Sequence, residues 1–229
     1  MTDSINKNFN HFKIHTQYSI CEGAIKIDQL KNYCKNNKIQ SLGISDSHIL
    51  SGALEFSESL SSVGTQPIIG TQILFKYKEF VGFIPLIAKN VEGYKNIIEL
   101  SSKSYLENSE TADPHCNLED LLNKSSGIIV LTGSIRCLLG NLFNKGLFNE
   151  INDIVSKLSQ SFPDDFYIEI QRHNDLNEKE FENFNLNISK KFDLPIIASH
   201  EVFYLDKNMF EAHDALTCIG NKTYLNDAN

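Results

Sequence analysis

Seven short apolar runs rich in β-formers, spaced along 229 residues and separated by stretches of helical periodicity, constrain this chain more than any other feature. They are Phe12–His15, Ser41–Ser45, Pro67–Phe75, Val81–Ala88, Gly127–Thr132, Phe166–Gln171 and Leu194–Ser199. Ile128-Ile129-Val130-Leu131 and Pro195-Ile196-Ile197-Ala198 are continuously apolar, as expected of parallel strands covered on both faces. Helices are expected near Ile25–Asn36, Val91–Leu106, Ile135–Asn144, Leu147–Gln160, Asn177–Phe192 and Asn208–Ile219. The first places Ile27, Leu30 and Cys34 on one stripe, and the second does the same with Val91, Tyr94, Ile98 and Tyr105. Asn117 followed by Asp120 has the spacing of a capping box, and Gly146 is the expected stop between two helices. Strands alternating with helices indicate an α/β barrel or an open doubly wound sheet, in one domain. Glu107–His115 is polar enough to be a loop.

Composition removes several classes of function. With 41% hydrophobic residues the chain can bury a substantial core. A net charge of −8 lacks the electrostatic footprint of a nucleic-acid binder. The N-terminus is polar, and no segment approaches the length of apolar sequence that a membrane span needs, so a soluble cytoplasmic protein is expected. The five cysteines are scattered and never spaced as Cys-x-x-Cys, which points to reduced, mostly buried thiols.

The active site of such a fold gathers at strand C-termini. On the first strand, Lys13 and His15 share one face and Phe12 and Ile14 the other. Two imidazoles there would begin a metal site, and here one of the two positions is a lysine. The residues at or after the other runs are Glu22, Ser45-Asp46-Ser47-His48, Gly70-Thr71-Gln72, Phe83, Gly133-Ser134, Gln171-Arg172-His173 and His200-Glu201-Val202-Phe203.

Several stretches carry a specific resemblance: His15-Thr-Gln-Tyr-Ser-x-x-Glu-Gly-Ala24, Ser45-Asp46 leading to Gly52-Ala-Leu-Glu-Phe56, Pro67-Ile-Ile-Gly70, and Ala88-Lys-Asn-x-x-Gly-Tyr-Lys-Asn96. With Glu169-Ile-Gln-x-His173 and Ala212-His-Asp-Ala-Leu-x-Cys-Ile219 before Lys222-Thr223, they resemble the polymerase-and-histidinol-phosphatase (PHP) domain. The version most resembled is the N-terminal PHP domain of bacterial DNA polymerase III alpha subunits. The resemblance runs from about Phe12 to Asp227. It implies a PHP-type seven-stranded β/α barrel, TIM-like but distorted, over residues 12–229 behind an N-terminal tail of residues 1–11. It also implies a parent DNA-directed DNA polymerase whose palm, thumb and fingers are absent from this sequence, so that the chain is expected to be a fragment or truncated product.

Members of the family with intact sites present nine ligands to divalent ions that hydrolyse phosphoesters. Position by position, the resemblance implies that His15, Glu22 and Glu201 are retained. Six are lost: Lys13, Ser47, Gln72, Phe83, Ser134 and Phe203 stand where ligands would be. Two phenylalanines coordinate nothing. A lysine about 4 Å from a divalent ion costs roughly twice the ~4 kcal/mol of a unit pair. The expectation is no metal, no cofactor and no catalytic residue, with Lys13 paired to Glu22 or Glu201. His48 and His200 are each one residue from a ligand position, His173 is expected to make local hydrogen bonds, and His11, His115 and His213 carry no site signal.

Three functions are consistent with this reading. The first is a non-catalytic structural module of the replicative polymerase, docking the proofreading exonuclease subunit and meeting DNA only through the holoenzyme. The second is an active phosphoesterase or 3′–5′ exonuclease using manganese, zinc or magnesium. The third, a free-standing histidinol-phosphatase-like enzyme, does not account for the Gly93–Asn96 and Ala212–Ile219 stretches.

Overall fold

The computed structural model of the protein describes residues 9–108 and 113–225. Its strands and helices run β1 (Lys13–Ile14), α1 (Ile27–Asn37), β2 (Ser41–Ser47), α2 (Ala53–Ser61), β3 (Gln66–Tyr77), β4 (Phe80–Ala88), α3 (Val91–Leu106), β5 (His115–Asn117) and α4 (Leu118–Leu122). They continue through β6 (Ile128–Leu131), α5 (Leu138–Asn144), α6 (Phe148–Ser161), β7 (Phe166–Ile170), α7 (Glu178–Phe192), β8 (Ile196–Ala198), β9 (Glu201–Val202) and α8 (Phe210–Asn221). All seven expected strands are present. Two more, β5 and β9, are too short to have left a periodic signal. Residues 1–8 of the expected tail, 109–112 of the expected loop and 226–229 lie outside the described residues. The last residue of that loop, His115, begins β5.

The chain packs as two compact units, Met1–Gly70 with Glu201–Asn229, and Thr71–His200. In the first, β1 lies between β2 and β9 and is parallel to both, with Ile14 opposite Ile44 and Lys13 opposite Glu201. The period of two in β1 decides what goes inside. Ile14 joins a buried cluster with Ile25, Leu42, Ile44, Phe56 and Leu60, while Lys13 and His15 point the other way. The α1 stripe of Ile27, Leu30 and Cys34 seals that cluster as its spacing predicts.

In the second unit, β6, β7 and β8 are parallel, β4 runs antiparallel to β6, and β5 pairs with β3. β3 and β4 are neighbours joined across Lys78-Glu79, with Lys78 at φ +54°. This hairpin interrupts the strand–helix alternation that the sequence suggests. The apolar β8 run is also less covered than expected: Ile196 is 47% exposed, because β8 is the last strand of the order β3-β4-β6-β7-β8.

On α3 the expected stripe is the outer one. Val91 is 71% exposed and Tyr105 50%, whereas Gly93, Ile97, Leu100 and Ser104 are buried. Both stripes have helical spacing; small residues at Gly93 and Ser104 let the second sit close to its neighbours. At Gly93 the approach is extreme, since a Cβ there would lie 1.6 Å from the Gly127 carbonyl oxygen.

The capping box forms, with the Asn117 N–H donating to Asp120 Oδ2 at 2.9 Å while Lys103 Nζ donates to Oδ1 at 2.7 Å. Asp120→Ala removes both contacts and is expected to cost about 1 kcal/mol, read as a lower urea midpoint at unchanged slope. The break between α5 and α6 has Gly146 at φ +71°. Four of the five cysteines are buried and none forms a disulfide. No helix among the described residues is long and apolar enough to cross a membrane.

Candidate functional site

The first unit builds its site on one loop. After β1 the chain turns through Thr16–Ala24, closed by Ser19 N to Thr16 O (2.9 Å), Gly23 N to Ser19 O (2.9 Å) and Gln17 N to Ile25 O (2.8 Å). Asp46, at the end of β2, anchors it. One carboxylate oxygen accepts from the Thr16 N–H at 2.6 Å and the Ser19 hydroxyl at 2.8 Å, and the other accepts from the Thr16 hydroxyl at 2.7 Å. All these groups are buried. Two residues of this region hold left-handed backbone without being glycine, Cys21 (φ +63°) and His48 (φ +68°). They flank Glu22 and Ser47, whose side chains meet: Ser47 Oγ donates to Glu22 Oε2 at 2.6 Å.

At the centre, Lys13 Nζ lies 2.8 Å from Glu201 Oε1, with the lysine side chain 1% exposed and the glutamate 14%. Burial alone raises the Glu201 carboxyl, but the Lys13 ammonium and the His15 ring outweigh it and hold the group well below the usual carboxylate range. His15 is buried beside them, its Nε2 3.8 Å from Glu201 and its Nδ1 3.9 Å from Glu22. Phe203 stacks on the His15 ring at 4.4 Å between centroids. The two choices for a Lys13 partner thus resolve to Glu201, the residue opposite it in the β1–β9 register.

In the second unit, Gln72 and Ser134 are both buried and both meet Cys137, whose Sγ is 4.0 Å from Gln72 Oε1 and 3.6 Å from Ser134 Oγ. Phe83 is half-buried in β4. Glu169 is buried and accepts from Gln171 Nε2 at 2.6 Å and from the Ser199 hydroxyl. His173 makes the expected local contacts, its Nε2 3.0 Å from Gln171 Oε1 and its backbone N–H on Glu178, and it also stacks on His200 at 4.1 Å.

Of the histidines without a sequence signal, His213 is the one that reaches the site loop. Its Nε2 is 2.7 Å from the Glu22 carbonyl oxygen, and its ring neighbours Phe203 and Tyr204. Nothing but the Ala212–Ile219 stretch marks it in the sequence, because α8 is far from Glu22 along the chain. His115 bonds locally to the Asp113 carbonyl, and His11 packs edge-on against Phe9. Cys137 likewise had no mark beyond being one of five thiols. Among the described residues no three His, Cys, Asp or Glu side chains are grouped so as to hold a metal ion. The centre pairs and buries charge: an ammonium against a carboxylate, with a buried imidazole beside them.

Comparison with known proteins gives a consistent result. The model of the PHP domain matches residues 11–173. The chain is 32% identical to the DNA polymerase III subunit alpha of Caulobacter vibrioides, over 98% of this chain and 20% of that protein. It is 34% identical to the subunit alpha of Rickettsia felis, over 92% of this chain and 18% of that one. It thus spans about a fifth of the length of these relatives. Among solved structures, a protein assigned as a metal-dependent phosphoesterase from Bifidobacterium adolescentis is similar with a TM-score of 0.57 at 12% identity, covering 90% of this chain and 96% of that one. A two-domain protein from Bacteroides vulgatus containing a predicted PHP-like metal-dependent phosphoesterase gives a TM-score of 0.53 at 12% identity, over 85% and 51%. At that identity the likeness shows a shared α/β fold.

Proposed function

The chain belongs to the PHP-domain family, and from that membership we propose that it is the PHP module of a replicative DNA polymerase alpha subunit, non-catalytic and structural. In this role it stabilises the remainder of the alpha subunit and offers a docking surface to the proofreading exonuclease subunit, with DNA reached only through the assembled polymerase. The similarity to alpha subunits over nearly the whole chain supports the module.

The observation that carries the non-catalytic reading is the Lys13 ammonium 2.8 Å from Glu201. A divalent ion bound by Glu201 would sit against that ammonium, a repulsion of several kcal/mol. Two further contacts agree with it. The Ser47 hydroxyl occupies a Glu22 carboxylate oxygen, and the Phe203 ring covers one face of His15. These residues are a poor fit to a divalent cluster, and no hydrolytic step is assigned to them.

Elemental analysis of the purified full chain after dialysis against manganese, zinc and magnesium tests this. Metal well below one ion per chain is expected, with no hydrolysis of nitrophenyl phosphate. Two or more ions per chain, or turnover that His15→Ala abolishes, would establish the phosphoesterase reading instead. The docking role predicts co-purification of the exonuclease subunit with the alpha subunit, and its absence with both the full subunit and this chain would end that part of the proposal.

A further inference from the structure

We propose that the Lys13 ammonium is a built-in substitute for the divalent cation of this site, supplying from within the chain the positive charge that Glu201 would otherwise take from a metal. The inference rests on the non-catalytic reading above. Its basis is the distribution of charge and solvent among the three retained ligand positions.

Glu201 is the carboxylate that needs a cation. Its side chain is 14% exposed and faces Lys13, at 1%, across the β1–β9 register. A buried carboxylate without a partner is costly, and so is a buried ammonium; at 2.8 Å each answers the other. Glu22 needs none. Its side chain is 43% exposed, so water solvates it, and Ser47 Oγ supplies a neutral donor at 2.6 Å. His15 lies between the two carboxylates, its Nε2 3.8 Å from Glu201 and its Nδ1 3.9 Å from Glu22, with the Phe203 ring stacked on one face and Ser19 Oγ 3.4 Å from Nδ1. The Lys13 ammonium thus stands beside Glu201, the less solvated of the two retained glutamates. The residue that delivers this charge is on the strand face where β1 alternation would place a ligand.

The test compares melting of the full chain in EDTA and in Mn²⁺ or Zn²⁺, for wild type, Lys13→Ala and the double variant Lys13→Ala with Glu201→Gln. Wild type is expected to melt at the same temperature in both media. Lys13→Ala is expected to melt about 5 °C lower in EDTA and to regain part of the loss with either metal, which can now reach Glu201 and His15. The double variant, with both charges gone, is expected to be more stable than Lys13→Ala in EDTA and unresponsive to metal.

A metal-dependent rise in the wild type would overturn the non-catalytic reading and this inference with it. A silent wild type with a Lys13→Ala variant that is either fully stable or indifferent to metal would overturn the inference alone. If Lys13→Ala does not fold, the double variant decides: its folding supports charge compensation, and its failure shows that the lysine matters only for packing.

Discussion

Gly93→Ala is expected to destabilise the second unit by about 3 kcal/mol or more, enough to lower soluble yield and to move the urea midpoint strongly. The added Cβ would meet the Gly127 carbonyl oxygen at 1.6 Å and its carbonyl carbon at 2.3 Å, so the obstacle is backbone and no rotamer change relieves it. The opposing segment has little freedom to retreat. Gly127 is at φ +70°, its carbonyl accepts from the Lys89 N–H at 2.9 Å, and a Cβ on it would in turn meet Asn90 Oδ1 at 2.3 Å. That same Asn90 oxygen caps α3 by accepting the Gly93 N–H at 3.0 Å. Relief of the clash must therefore disturb the cap or the hydrogen bond that joins Lys89 to Gly127. Lys95→Ala, at an exposed position of the same helix, is the control and is expected within about 0.5 kcal/mol of wild type. If urea titration gives Gly93→Ala a midpoint equal to that of the control, the close approach is not the constraint described.

Asp46→Ala is expected to cost about 4 kcal/mol. Removing its carboxylate leaves three buried donors without their acceptor, the Thr16 N–H, the Thr16 hydroxyl and the Ser19 hydroxyl, and each such loss costs ~1–3 kcal/mol before relaxation. Asp46→Asn keeps one oxygen and is expected to recover about half of the loss. Hydrogen exchange distinguishes this from a general loss of packing. The amides of Thr16 through Gly23 should lose protection most, because the Asp46 side chain is what fixes that loop, while the Ile27–Asn37 helix should retain its own. Uniform loss across both segments would argue that Asp46 supports the unit as a whole and not the loop in particular.

What is legible in the sequence depends on the range of each interaction. Alternation over Phe12–His15 was sufficient to place Lys13 and His15 together and Ile14 inside, because the period of a strand is a local property. The α1 stripe was legible for the same reason, with Ile27, Leu30 and Cys34 its only apolar set. On α3 two apolar sets competed, and the decisive residue was a glycine, which contributes nothing to a hydrophobic pattern yet admits the closest contact. The choice of Glu201 over Glu22 as the Lys13 partner depended on a register between strands at opposite ends of the chain. His213 was hidden for a related reason, since nothing near α8 in the sequence announces Glu22. The family resemblance suggests which positions to read; the register and the hydroxyl contact show how Lys13 meets Glu201 and Ser47 meets Glu22.

The discontinuity of the first unit bears on the order in which the protein is made. Thr71–His200 is one uninterrupted segment, so every pairing within that unit is available as soon as its own residues have been synthesised. The first unit needs β9, which pairs with β1 only after the whole intervening segment has been translated. Until then Lys13 has no Glu201 to meet, and closing so long a loop adds an entropic cost that grows with the logarithm of its length. Contacts of that separation slow folding. The ion pair at the centre of the site thus becomes available only after all of Thr71–His200 has been made, and during that interval the first strand of one unit waits for its neighbour while the other unit can already pair.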